Sequence, residues 1–224
     1  MSVKINAQNK VFAFYEYDIK DGMTDQFVNG YAKDLEWHKS QKDDWSWLGW
    51  FVTNGKRRGR FIDATPDHAW TDFDRWKVDR AENVRHNKIH WVPYVENYSG
   101  SYNVMIDEYS APKPNWLTSA FLQVYSLKVK IGRDGVFKKF LSDFKVLANR
   151  KELPFVWMQT VSGGGVSEYQ LFVGISRVEE LGKCMDLFDF SMAKSDIIQN
   201  YSNAVESNTS ELWRYSSQLT LLVE

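Results

Sequence analysis

Val11, Ala13, Tyr15, Tyr17 and Ile19 alternate with Phe12, Phe14, Glu16 and Asp18, a period of two that predicts a β-strand. Both of its faces begin apolar, so the strand is expected to be covered on both sides. The same pattern returns at Phe121 to Gly132, where Phe121, Tyr125, Leu127 and Val129 alternate with Leu122, Val124, Ser126 and Lys128. Gly22 and Gly132 end these strands. Apolar stripes at helical spacing follow, Phe27, Tyr31, Leu35 and Trp37 in the first case and Phe137, Phe140, Leu141, Phe144 and Leu147 in the second. Strands are next predicted over Trp45 to Val52 and Phe155 to Val161. The turn-forming runs Thr53 to Gly55 and Ser162 to Gly165 lead from them into returning strands at Arg60 to Ala64 and Tyr169 to Gly174.

After Pro66, which suits a first helical turn, Trp70, Phe73 and Trp76 keep helical spacing, as do Leu181, Cys184, Leu187 and Phe188 after a one-residue slip. Val84 and Ile89, and Ile197, Ile198 and Tyr201, predict a further short helix in each half. Closing strands are expected at Tyr102 to Tyr109 and Trp213 to Val223. Both halves thus read strand, helix, strand, strand, helix, strand, the ferredoxin-like plan.

A constant offset of 110 carries Tyr15 onto Tyr125, Lys20 onto Lys130, Gly22 onto Gly132, Phe27 onto Phe137, Trp47 onto Trp157, Val95 onto Val205 and Glu96 onto Glu206. The chain is therefore expected to hold one ferredoxin-like repeat over 1–111, a linker over 112–118 marked by Pro112 and Pro114, and a second repeat over 119–224. The fold class is α+β, with the antiparallel sheets of two βαββαβ units packed together within one chain.

With 28 Lys and Arg against 29 Asp and Glu, the net charge is −1, so neither nucleic acid nor an anionic membrane surface is an expected partner. No run approaches the apolar length of a membrane-spanning helix. Aromatic residues make up 16% of the chain, ten of them Trp, enough to fill thick cores or to line a pocket for a small apolar ligand. The single Cys184 has apolar neighbours and reads as a buried small hydrophobe. The compartment stays open: cytoplasmic by default, secreted or periplasmic if Asn6, Ala7 and Gln8 are the remnant of a trimmed signal.

The fused pair of aromatic-rich units resembles the dimeric α+β barrel superfamily, which includes small monooxygenases, haem-degrading enzymes, chlorite-dismutase-like proteins and NIPSNAP-type proteins. The resemblance implies two sheets packed face to face, with a small-molecule pocket between the sheet and helices of each unit. It also implies, for haem-handling members, a histidine on the second helix. All four histidines, His38, His68, His86 and His90, lie in the first repeat, so any such chemistry is expected to be asymmetric.

Tyr15, Trp47, Tyr125 and Trp157 recur in both copies and are the candidate ligand-binding residues, each able to place an O–H or N–H at the wall of an apolar pocket. Their alternative role is core packing. Glu82, His86 and His90, spaced by four, share one helical face and are a candidate metal set for zinc or iron, although their offset partners carry no such set. Any cofactor is unknown at this level. The leading function is binding of a small molecule in an aromatic-lined pocket; the alternatives are a monooxygenase-like or haem-linked enzyme using His86 or His90, and an interaction module without a ligand. The basic run Lys56 to Arg60 reads as a solvated hairpin tip, and Ser162 to Gly165 lacks the Lys-Ser/Thr ending of a phosphate loop.

Overall fold

The computed structural model describes residues 10–150, 152–165, 167–185, 187–188 and 195–223, so the Asn6 to Gln8 segment lies outside the described residues. The first repeat runs β1 (Val11–Ile19), α1 (Thr24–Ser40), β2 (Leu48–Asn54), β3 (Phe61–His68), α2 (Arg80–His90) and β4 (Val95–Met105). The second runs β5 (Phe121–Val129), α3 (Asp134–Asn149), β6 (Phe155–Ser162), β7 (Glu168–Ile175), α4 (Leu181–Met185), α5 (Ser195–Ala204) and β8 (Val205–Tyr215). Gly22 and Gly132 turn the chain out of β1 and β5 at φ +74° and +77°, which a side chain would resist.

Each repeat forms an antiparallel sheet, in the orders β4-β1-β3-β2 and β8-β5-β7-β6. The two sheets face one another, as predicted, and they also hydrogen-bond edge to edge through β2 with β8 and β4 with β6. Eight strands therefore close into one barrel, and closure removes the unpaired edges that either sheet alone would expose.

The pleat explains why β1 and β5 are apolar on both faces. Phe12, Phe14, Leu122 and Val124 point into the barrel, where they meet Trp50, Phe172 and Trp213. Phe14 stacks on Phe172 with centroids 5.6 Å apart, so both repeats share this interior. The opposite faces carry the helices, α1 over the first repeat and α3 over the second. Trp116 and Leu117 of the predicted linker pack against the barrel interior, and the Trp50 indole donates to the Leu117 carbonyl at 3.2 Å.

Four expectations need correction. The closing strands begin at Val95 and Val205, ahead of the predicted starts, because their first halves pair through the backbone while their polar side chains stay exposed. Pro66 does not open a helix, since β3 continues through it to His68. Trp70, Phe73 and Trp76 do not share a helix either; only Trp70–Asp72 makes a 3-10 turn, and Trp76 instead stacks on Trp45 at 5.2 Å. The basic run is not a free hairpin tip: Arg57 pairs with Glu16 at 2.6 Å and with Glu211 at 2.7 Å, tying the β2–β3 hairpin to β1 and β8.

Candidate functional site

The buried face of α1 carries Phe27, Gly30, Tyr31, Asp34, Leu35 and His38, one stripe at helical spacing. Three of these six are ionisable, and besides Tyr31 they are Asp34 and His38, only 5% and 3% exposed. Ionisable groups are rarely buried so deeply without a partner or a task. They border a cavity of about 310 Å³ lined by α1, α2, the outward faces of β1, β3 and β4, and the segments that precede β2 and α2. Trp45, Trp47 and Trp76 form one wall, Tyr15, Tyr17 and Tyr31 another, and Asn83 and Asn87 of α2 a third. Arg80, Val84 and Tyr98 are the exposed residues of its rim. α2 begins where it does because the Asp79 carboxylate accepts from the backbone N–H groups of Ala81 and Glu82, at 2.8 and 2.9 Å.

At the floor of the cavity lies Asp63, 1% exposed. Its Oδ2 accepts from the hydroxyls of Tyr17, at 2.8 Å, and Tyr31. Its Oδ1 is buried with no hydrogen-bond partner. Burial drives the carboxyl up to about 7, against the pull of the two tyrosine hydrogen bonds, with the nearby Asp34 charge adding to the rise. Burial likewise holds the Tyr15, Tyr17 and Tyr31 hydroxyls well above the usual phenol range, so they remain donors.

A second polar chain runs beside it. Asp43 Oδ2 accepts from His38 Nδ1 at 2.8 Å and from the Trp47 indole at 3.0 Å. Its Oδ1 accepts from the Trp76 indole at 3.0 Å and the Trp45 backbone at 3.2 Å. Burial opposes ionisation there, but these hydrogen bonds outweigh it and hold Asp43 below the ordinary carboxylate range. Asp34 sits 3.7 Å from His38 Nε2 and 2.9 Å from His86 Nδ1. Burial raises its pKa despite both histidines.

The second repeat answers this set with hydrocarbon. Tyr15 faces Asp63 across the β1–β3 ladder, and Tyr125 faces Leu171 across β5–β7. Tyr17, Tyr31, Asp34 and His38 have as counterparts, at the offset of 110, Leu127, Leu141, Phe144 and Ala148, all buried. Across β2 and β3 the spacing changes to 108, since Trp47 bridges Leu221 as Phe155 bridges Ala111, and Gly49 pairs with Asp63 as Trp157 pairs with Leu171; β4 and β8 return to 110. Trp47 is thus equivalent to Phe155 and not to Trp157, whose counterpart in the first repeat is Gly49, closed over by the Phe61 ring and the Leu219 carbonyl.

Of the four sequence candidates for ligand contact, Tyr15 and Trp47 line the cavity. Trp157 is fully buried against Phe137, Phe140 and Phe144, and Tyr125 packs on Phe188 while its hydroxyl donates to the Cys184 carbonyl at 3.3 Å. His86 and His90 do lie side by side, rings 4.2 Å apart, but outside the cavity lining, on the side of α2 that meets α1, where His86 stacks on Trp37 and contacts Asp34. Glu82 is exposed, and among the described residues no three His, Cys, Asp or Glu side chains are placed to hold a metal ion. Asp34, His38 and Asp63 were not singled out from the sequence. The usable signal was the repeat itself, in which a polar residue in one copy stands against an apolar one in the other.

No family model matches the chain, and no curated protein matches it. Solved structures do. The fold is similar to a monooxygenase-like protein from Lactobacillus acidophilus NCFM, with a TM-score of 0.57 and 8% identity over 96% of this chain and 100% of that one. It is similar to an anthrone oxidase-like protein, with a TM-score of 0.60 and 8% identity over 96% of this chain and 94% of that one. It is also similar to a mutant chlorite dismutase from Candidatus Nitrospira defluvii, with a TM-score of 0.61 and 6% identity over 93% of this chain and 92% of that one. These likenesses show the fold alone: an α+β barrel of the dimeric kind, with both barrel halves supplied by one chain.

The haem that the sequence resemblance implies for some members does not fit the first-repeat site. Neither His86 nor His90 lines the cavity, and both nitrogens of His38, which does, face carboxylates. An apolar cavity of roughly 150 Å³ accepts one benzene ring. On that scale the space here suits on the order of two to three fused rings and not a tetrapyrrole.

Proposed function

We propose that this protein binds a small planar aromatic molecule in the first-repeat cavity, with Asp63 as the polar anchor at its floor. The observation that carries this reading is the partnerless Oδ1 of Asp63 on the wall of a cavity lined mainly by aromatic rings. A buried acceptor without a partner costs about 1–3 kcal/mol. The second repeat shows that this architecture closes equally well with leucine at that place.

The test is titration with naphthalene and 1-naphthalenemethanol, followed by quenching of the Trp45, Trp47 and Trp76 fluorescence. Saturable binding of the alcohol is expected, weakened at least about tenfold by Val84→Trp, which narrows the mouth at an exposed position. Affinity unchanged in that variant, or no saturable quenching by either probe, removes the reading.

One observation favours a catalytic extension. A carboxyl that titrates near 7 is a competent proton acceptor at neutral pH, facing the place where an aromatic substrate would lie. The likeness to an anthrone oxidase-like protein suggests the trial substrate. Oxygen uptake with anthrone in wild type, lost in Asp63→Asn, is the expected result; uptake no faster than without protein discards the extension.

A further inference from the structure

Three buried side-chain oxygens on the cavity wall lack a hydrogen-bond partner: Asp63 Oδ1, Asn83 Oδ1 and Asn87 Oδ1. All three are acceptors. On the same wall the buried Trp91 indole N–H, beside the Asp34 carboxyl, also lacks a hydrogen bond. With three acceptors against one donor, the unmet demand of the cavity is mainly for N–H or O–H groups brought by the occupant. A single hydroxyl supplies one donor, whereas a primary ammonium supplies three.

The surrounding charge points the same way. Asp34 and Asp63 are buried at the site, while the one guanidinium on its wall, Arg80, stands at the exposed rim. Trp45, Trp47, Trp76, Tyr15 and Tyr102 line the space, and indole and phenol rings attract cations, most strongly where water is excluded. Building on the reading that an aromatic molecule occupies this cavity, we propose that its occupant is an aryl-alkyl amine bound as the ammonium ion, with its rings among the indoles and its N–H groups on Asp63, Asn83 and Asn87.

The groups facing Asp63 are Tyr15 and Tyr17 from β1 and Tyr31, Asp34 and His38 from α1, with Arg80 of α2 at the rim. Both carboxyls have raised pKa values through burial, Asp63 to about 7. An arylalkyl amine stays protonated to about pH 9. Ammonium binding therefore strengthens as pH rises through the neutral range, while a neutral probe lacks that gain.

The experiment compares 1-naphthylmethylamine with 1-naphthalenemethanol, the same ring system ending in –NH₃⁺ or –OH, by calorimetric titration of the whole protein at pH 5.5, 7 and 8. The amine is expected to bind at least about tenfold tighter at pH 8, with an advantage that shrinks toward pH 5.5 and falls to within about threefold in Asp63→Asn. An alcohol that binds as tightly as the amine at pH 8 overturns the amine assignment and leaves the aromatic-ligand reading standing. An advantage that persists in Asp63→Asn overturns the anchor. If the variant does not fold, the wild-type pH series decides: an amine advantage independent of pH overturns the proposal. Binding of neither probe overturns this inference and the reading beneath it together.

Discussion

Asp63 and Leu171 hold the same place in the two repeats, each opposite a tyrosine on the neighbouring strand, Tyr15 in one and Tyr125 in the other. One is a carboxyl driven up to about 7 by burial, the other a fully buried hydrocarbon. The backbone accepts either, so the carboxyl answers to something other than folding.

That equivalence predicts how substitutions combine. Asp63→Leu alone strands the hydroxyls of Tyr17 and Tyr31 without their acceptor, at about 1–3 kcal/mol for each buried group. The triple variant Tyr17→Leu, Tyr31→Leu, Asp63→Leu copies the second repeat's Leu127, Leu141 and Leu171 and leaves no such group behind. Replacing a buried polar network with packed hydrocarbon is often neutral or stabilising by about 1–4 kcal/mol. Urea denaturation should therefore rank the triple variant at or above wild type and the single variant below it, with aromatic-probe binding lost in both. A triple variant less stable than the single one contradicts the equivalence.

The raised carboxyl also fixes a pH dependence. Between the ordinary aspartate value of 3.8 and about 7, the folded state holds a proton on Asp63 that the unfolded state has lost. Stability from this group is therefore full below the unfolded value and is lost as pH rises through the folded one. Asp34, raised in the same direction, adds to the trend. Asp63→Asn does not titrate, so the Tm of wild type relative to this variant should fall as pH rises from 5 to about 7 and level off above that. A difference that stays constant over that range would show that Asp63 titrates as an ordinary carboxyl.

Much of the architecture was legible because the pleat leaves a strong imprint. Phe12 and Phe14 face the barrel interior, Ala13 and Tyr15 face α1, and both faces are apolar in each copy. The register of β2 was not legible: Trp47 and Trp157 match at the offset of 110, and only the backbone pairing shows that the second copy is two residues shorter before this strand. Tyr15 and Trp47 could be found as rings recurring in both halves. Asp34 and His38 were hidden because a polar residue on an amphipathic helix reads as solvent-facing, and the stripe drawn through Trp37 displaced the one that runs through His38. The pairing of His86 with His90 followed from spacing, but which way that face of α2 points is set by its packing on Trp37, a tertiary fact.

Asp43 organises the indole wall, accepting from His38, Trp47 and Trp76 side chains and from the Trp45 backbone. An amide at this position turns one acceptor oxygen into a donor facing donors. Asp43→Asn should cost about 1.5–3 kcal/mol for each charge-assisted bond it breaks, and should shift tryptophan emission to longer wavelength as the wall loosens. Since this carboxyl is held below its ordinary range, its contribution is present above the unfolded value of 3.8 and disappears as pH falls through the folded one. Wild type should therefore approach the variant's Tm on acidification toward pH 3. Equal stability of the two proteins at pH 7 would deny Asp43 this role.

Gly30 governs the distance between the helices that enclose the cavity. A Cβ on this residue would lie 1.9 Å from the His90 carbonyl oxygen and 2.7 Å from its carbon, in the last turn of α2. Backbone cannot yield as a side chain tip does, so Gly30→Ala must lift the end of the helix that carries Asn83 and Asn87 over the cavity. Alanine gains up to about 1 kcal/mol over glycine inside a helix, which works against the expected loss. Overpacking of this kind typically costs about 1–3 kcal/mol, and with no side-chain escape the contact should dominate. The variant is expected to melt at least about 3 °C lower and to bind aromatic probes more weakly, both checked on the same preparation. A variant as stable as wild type with unaltered affinity would mean that the two helices part without consequence for the cavity, and that its shape does not depend on their close approach.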